Sequence, residues 1–136
     1  MTQNGPAAAA VRAVLEKYGV RSVFALAGAS QSVLLDEVDR HGIRIVQTRH
    51  ESATVGAADG YARVRRGIGV AVINADQGMT NAATGVQSAL EACSPVVVLV
   101  GREPHSWIEP ELQIDHDALA VLRPIAKWAR TCHSAQ

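Results

Sequence analysis

An open α/β sheet, mostly parallel and with helices on both faces, is the fold this chain predicts. Three observations lead there. Short apolar runs alternate with helical patterns along the whole chain. The central runs, IGVAVIN (68–74) and PVVVLVG (95–101), are almost unbroken rather than alternating, as strands buried on both faces are. Glycine and polar residues gather just after each run, where a strand must turn back into a helix. A length of 136 residues suits one core, and 48% apolar against 19% charged residues marks a globular chain rather than a disordered one.

The elements follow in order. Val11, Val14, Leu15 and Tyr18 recur at i, i+3, i+4 and i+7, which predicts a first amphipathic helix. Pro6 lies near its start and Gly19 just past its end. SVFALAG reads as a buried strand closing on Gly28, and QSVLLDEVDRHG as a helix stopped by Gly42. IRIVQT is a second strand, rich in β-branched residues. A helix over roughly residues 50–64 follows, then the strand IGVAVIN, a helix over GMTNAATGVQSALEA, and the strand SPVVVLVG. Beyond Gly101 a loop carries Pro104 and Pro110; DHDALAVL predicts a short helix and PIAKWA a last strand.

Several function classes fall away. Thirteen basic residues balance thirteen acidic ones, so nothing favours nucleic acid or an anionic membrane as partner. Arg63, Arg65 and Arg66 read as a solvated helix end, where the helix dipole favours cations. Cys93 and Cys132 are the only cysteines, with no CxxC and no Cys/His ligand cluster. Free thiols suit a reducing compartment, the start of the chain lacks a signal-peptide pattern, and PVVVLVG is too short to span a bilayer. The expectation is a cytoplasmic protein.

Open α/β sheets bind ligands beyond the C-terminal ends of their strands. Here those ends carry AGAS (27–30), RHE (49–51), NADQGMTN (74–81) and GREPH (101–105). Each loop alone is ordinary turn chemistry; the four together, with a carboxylate among them, point to a site. A GxGxxG after the first strand and a GxxxxGK[ST] loop are both missing. Gly28-Ala29-Ser30-Gln31-Ser32 lacks the second glycine of a GxSxG nucleophile elbow. One feature stands out from this background. Glu51 heads a segment in which Ser52, Ala53, Gly56, Ala57, Ala58 and Gly60 are all small. Taken alone, Glu51 is simply an acid in the first turn of a helix, favoured by the dipole.

The segments GVRSVFALAG (19–28), HESATVGAADGYAR (50–63), DQGMTN (76–81), PVVVLVG (95–101) and LQIDHDALAVLRPIAKWA (112–129) change that reading. From Gly19 on, the chain resembles the N-terminal pyrimidine-binding domain of thiamine-diphosphate-dependent enzymes, of the acetolactate synthase, benzoylformate decarboxylase and pyruvate oxidase type. The HE…GYAR segment is the specific part. The resemblance implies thiamine diphosphate as cofactor, a 2-keto acid as substrate, and decarboxylation or carboligation as the reaction. It implies that Glu51 hydrogen-bonds N1′ of the aminopyrimidine and so activates the cofactor. A carboxyl partly withdrawn from water suits that sharing of a proton. It places Gly28, Gly78, Thr80 and Asn81 at the cofactor, and Gln113, Ser30 and Asn74 on the substrate side, with Ala29 beside Ser30. His50 is expected to be structural. The small residues should let their helix pack closely on its neighbours, near a two-fold interface through which such domains form homo-oligomers.

Two turns depart from the family pattern. ALAG replaces the family's G-x-PG, and Asp76-Gln77-Gly78 replaces GPG. The family holds Mg²⁺ and the diphosphate on a separate domain with a GDG…N motif, and no metal ligands are expected in this chain. Residues 1–136 therefore read as a single, truncated pyrimidine-binding domain: a fragment or one subunit of a split enzyme, inactive without its diphosphate-binding partner. The competing reading is a non-catalytic binding or assembly module that kept the fold. A plain nucleotide-binding domain is disfavoured by the missing phosphate loops.

Overall fold

Alternation along the strands decides which helices each face receives. The computed structural model describes residues 6–75, 77–101 and 118–132. Within them lie α1 (Pro6–Lys17), β1 (Ser22–Ala25), α2 (Ser32–Arg40), β2 (Arg44–Gln47), α3 (Glu51–Arg65), β3 (Gly69–Asn74), α4 (Gln77–Glu91), β4 (Val96–Gly101) and α5 (Ala118–Leu122). Short 3₁₀ turns cover Ala29–Gln31 and Arg123–Ile125. The four strands are parallel, in the order β2-β1-β3-β4. Val23 and Ala25 of β1 and Val70 and Val72 of β3 point to one face, where Leu15 of α1 and Leu35 and Val38 of α2 cover them. Phe24, Ala71 and Ile73 point to the other, against Val55 and Ala58 of α3 and Met79, Ala82 and Val86 of α4. Each large aliphatic side chain buried in this way contributes about 1.5–3 kcal/mol. The expected doubly covered parallel sheet is the observed one.

The helix stops follow the expected residues in part. Gly19 and Gly42 take left-handed φ values of 72° and 78° just past α1 and α2. After α3 and α4 the same conformation falls on Arg66 and Cys93, which sequence rules do not single out. On α1 the inward stripe is the buried Ala8 and Leu15 with the partly buried Val11, whereas Val14 and Tyr18 are exposed. The amphipathic helix is right, but its inward face is rotated from the predicted one. Arg12 accounts for the rotation: it lies on the inward side and pairs with the buried Glu37 of α2 at 3.3 Å. The predicted strand over PIAKWA is not formed. Pro124 offers no N–H to a ladder, and the segment instead makes a 3₁₀ turn after α5, with Leu122 buried against the α3–α4 core.

Close approach in this fold comes from glycines outside α3. A β-carbon on Gly69 of β3 would lie 2.1 Å from the carbonyl oxygen of Ala58. One on Gly85 of α4 would lie 2.9 Å from Val55 Cβ and 3.1 Å from the Ser52 carbonyl. Backbone of α3 therefore sits directly on β3 and on α4. The small residues within α3 divide: Ala58 and Ala62 are buried in this contact, whereas Ala53, Gly56 and Gly60 are exposed, with open space around the two glycines. So only half of that small-residue set serves the packing within the chain.

The C-terminal half of α3 is tied down by charge. Arg63 donates through Nε to Asp59 Oδ1 at 2.8 Å and through its second nitrogen to Oδ2, and Nε also reaches Ser94 Oγ at 3.2 Å. Hydrogen bonding from Arg63 holds the Asp59 carboxyl below its ordinary range, against the opposing effect of burial. The basic run thus includes one arginine in a specific bidentate pair, while Arg65 and Arg66 are exposed as expected.

Two stability predictions follow from these contacts. Gly69→Ala should cost about 2–3 kcal/mol in urea denaturation, whereas Gly60→Ala should add about 0.5–1 kcal/mol; equal effects would contradict the packing described. Asp59 binds fewer protons folded than unfolded, so its contribution is complete above the ordinary carboxylate range and fades as pH falls through the lowered value. The stability difference between wild type and Asp59→Asn should accordingly narrow on acidification, and a difference constant with pH would contradict the pairing.

Candidate functional site

The strand order places a topological switch between β1 and β3, because β1 leads outward to β2 while β3 begins the other half of the sheet. Crevices at such points collect the loops that leave the C-terminal strand ends. Here the loop after β1 brings Gly28 and Ser30, β3 ends on Asn74, β4 ends on Gly101, and α3 and α4 begin at Glu51 and Gln77.

Glu51 is the first residue of α3 and is only 8% exposed. His50 caps the helix: its backbone is extended and its Nδ1 accepts from the Ser52 N–H at 3.2 Å. That is the structural role expected of it. Two threonines fix the same turn from beneath. Thr54, fully buried, donates from Oγ1 to the His50 carbonyl at 3.0 Å. Thr48 and Thr54 share a hydroxyl–hydroxyl hydrogen bond of 2.6 Å, Thr48 Oγ1 lies 3.3 Å from the Ala25 carbonyl of β1, and the Thr48 N–H donates to that carbonyl at 2.9 Å. The end of β1 is thereby locked to the start of α3.

From α4, Asn81 donates through Nδ2 to Glu51 Oε2 at 3.0 Å. Gly78 lies against the other oxygen, since a β-carbon there would come 3.3 Å from Oε1 and 3.2 Å from Asn74 Cβ. Oε1 itself has no partner among the described residues, and Glu51 has no ion pair among them. Gly78 is the joint between two clusters. On its far side, Ser30 donates from Oγ to Asn74 Oδ1 at 2.8 Å, and Gly28 leaves room for that amide, where a β-carbon would sit 2.6 Å from its end. Gly101 packs on Ser30 and on Gln31.

The structure therefore gathers Glu51, Gly78 and Asn81 in one group and Gly28, Ser30 and Asn74 in the next. Thr80 is at the same helix start, but its hydroxyl is committed to the Gln77 carbonyl at 2.9 Å. Gln113 and Asp76 lie outside the described residues. Among the described residues no group of three His, Cys, Asp or Glu side chains is placed to hold a metal ion. Sequence reasoning passed over Thr48, Thr54 and Gln31. The first two carry a weak signal, a pair of hydroxyls flanking the helix start. Gln31 carries none; it is 1% exposed, and its Nε2 has no hydrogen-bond partner among the described residues.

A family model described as "Thiamine pyrophosphate enzyme, N-terminal TPP binding domain" matches residues 6–121. The chain belongs to that family. Among curated relatives, human 2-hydroxyacyl-CoA lyase 2 is 40% identical to this thiamine pyrophosphate enzyme domain over 118 residues, covering 87% of the chain and 19% of the relative. The acetolactate synthase large subunit of Mycobacterium tuberculosis is 38% identical over 124 residues, covering 90% of the chain and 22% of the relative. Among solved structures, the thiamine diphosphate-dependent 4-hydroxybenzoylformate decarboxylase of Rhodococcus jostii superposes with a TM-score of 0.86 at 25% identity, over 95% of this chain and 24% of that one. The domain thus spans about a fifth of the length of the relatives it matches. The resemblance carried by HESATVGAADGYAR and its neighbouring motifs holds, and so does the fold it implied.

Thr54→Val tests how the Glu51 turn is held. The substitution keeps the shape and removes a hydroxyl that makes two hydrogen bonds, so it should cost about 1–3 kcal/mol by chemical denaturation. A neutral result would mean that the threonine pair does not hold the turn.

Proposed function

We propose that this chain is the pyrimidine-binding part of a thiamine-diphosphate-dependent enzyme that decarboxylates or ligates 2-keto acids. The observation that carries the reading is the Glu51 carboxyl: buried at the head of α3, with Oε2 held by Asn81 and Oε1 beside Gly78 without a partner among the described residues. A flat aminopyrimidine needs a carboxyl that can share a proton with its ring nitrogen and a surface without a projecting side chain beside it. Gly78 supplies that surface, and the family membership of the chain supports the assignment.

Thiamine diphosphate, when bound, supplies the nucleophilic carbon that attacks the keto group and the electron sink for the departing carboxylate. The chain's part is to bind and orient the pyrimidine and to hold a proton at its nitrogen. Glu51 Oε1 is the atom placed to do so, and Asn81, His50 and the threonine pair keep it there. Ser30 and Asn74 form a neutral polar pair one step away, suited to a keto or carboxylate oxygen of the substrate. Gln113 belongs to the same side by its motif.

Diphosphate and Mg²⁺ are assigned to a further domain or subunit, since Mg²⁺ prefers carboxylate, carbonyl and phosphate oxygens together. The activities of the relatives, a 2-hydroxyacyl-CoA lyase, an acetolactate synthase and a 4-hydroxybenzoylformate decarboxylase, are all compatible with this division of labour. The exposed outer side of α3, with Ala53, Gly56, Gly60 and the 83%-exposed Val64, supports self-association through this domain. No helix among the described residues is long and apolar enough to cross a membrane, and Cys93 and Cys132 are free, which supports a reducing, cytoplasmic setting.

Glu51→Gln in the assembled enzyme keeps the shape and removes the proton-sharing oxygen pair. Turnover of a 2-keto acid should fall about 10²–10⁴-fold while thermal unfolding of the chain is unchanged. Full activity in this variant would exclude the role given to Glu51.

A further inference from the structure

A carboxylate offers two oxygens, and its terminal torsion is broad and two-fold, so an unheld Glu51 would present either oxygen at varying angles. The structure resolves that ambiguity with one contact, the 3.0 Å bond from Asn81 Nδ2 to Oε2. The donor comes from a different helix, thirty positions along the chain, so it is not a by-product of α3's own geometry. It is also neutral. A lysine or arginine there would neutralise the carboxylate and compete with a ligand for its charge; an amide fixes orientation and leaves the charge in place. Oε1, the oxygen left without a partner among the described residues, is the one that lies over Gly78.

We infer that Asn81 is a positioning residue that selects Oε1 of Glu51 as the atom meeting the pyrimidine nitrogen. This rests on the pyrimidine-binding reading above and gives Asn81 a task distinct from contacting the cofactor. It also separates the two residues of the Thr80-Asn81 pair: the threonine hydroxyl stays within α4, on the Gln77 carbonyl, and the asparagine amide crosses to α3.

The test measures binding to the chain assembled with its diphosphate-binding partner, and needs no turnover. Two probes are compared: thiamine diphosphate and the analogue in which N1′ of the pyrimidine is replaced by C–H. Their ratio of dissociation constants reports the bond between Glu51 and the ring nitrogen. In Asn81→Ala that ratio should shrink about tenfold, with affinity for the C–H analogue nearly unchanged. Asn81→Asp, which keeps the shape but loses the donor, should shrink it as well. Adding Asn81→Ala to Glu51→Gln should bring little further change. If both Asn81 variants keep the wild-type ratio, or lose affinity equally for both probes, the positioning role is overturned while the Glu51 reading stands. If the wild type itself does not distinguish the probes, the pyrimidine-binding reading fails, and the inference with it. Unchanged urea denaturation of both variants confirms that a shift in the ratio is not a folding defect.

Discussion

The structure depends on how closely α3 lies on its neighbours. Gly69 lets the Ala58 carbonyl rest on β3, and Gly85 lets Val55 and the Ser52 carbonyl rest on α4. With any side chain at either glycine the helices would stand further apart. That separation matters at the N-terminal end of the pair, where the bond from Asn81 to Glu51 spans the two helices. A contact between backbones in the core therefore sets a distance between side chains at the rim. The same end of α3 is held from below by Thr48 and Thr54, which connect it to the last residue of β1. Three elements converge on one carboxyl, and the sheet's switch between β1 and β3 is why they meet there.

Burial and polarity are divided along this line. The two apolar clusters fill both faces of the sheet and stop at the strand ends, where Ser30, Asn74, Glu51 and Asn81 take over. Glycine marks the boundary at Gly28, Gly78 and Gly101, each of which touches a polar side chain rather than the core. Away from the site, Asp59 with Arg63 and Glu37 with Arg12 tie helix to helix or turn to turn. Their acids are buried and hydrogen-bonded, which is the condition under which a buried charge is tolerated.

Much of this was legible in the residues, for physical reasons. Unbroken runs such as Gly69–Asn74 could only be strands covered on both sides, and the helix stops at Gly19 and Gly42 follow from left-handed backbone. Glu51 was legible through the resemblance that HESATVGAADGYAR carries; by itself it read only as an acid in the first turn of a helix. Other features depended on tertiary partners. The inward face of α1 turned on Arg12 reaching Glu37, which periodicity cannot count as apolar. PIAKWA looked like a strand by composition, but Pro124 and the anchoring of Leu122 on α4's core decided otherwise. The small residues of α3 suggested close packing throughout, yet Gly56 and Gly60 face open space and the decisive glycines sit in β3 and α4. The partner of Glu51 could not be read at all, because it depends on the register between two helices.

The most direct measurement is a crystal structure of the chain assembled with its diphosphate-binding partner and thiamine diphosphate. The expected result is a pyrimidine nitrogen within about 2.6–3.0 Å of Glu51 Oε1, its ring against Gly78, and the Asn81 amide still on Oε2. A ring bound away from Glu51, or one on Oε2 with Asn81 displaced, would contradict it.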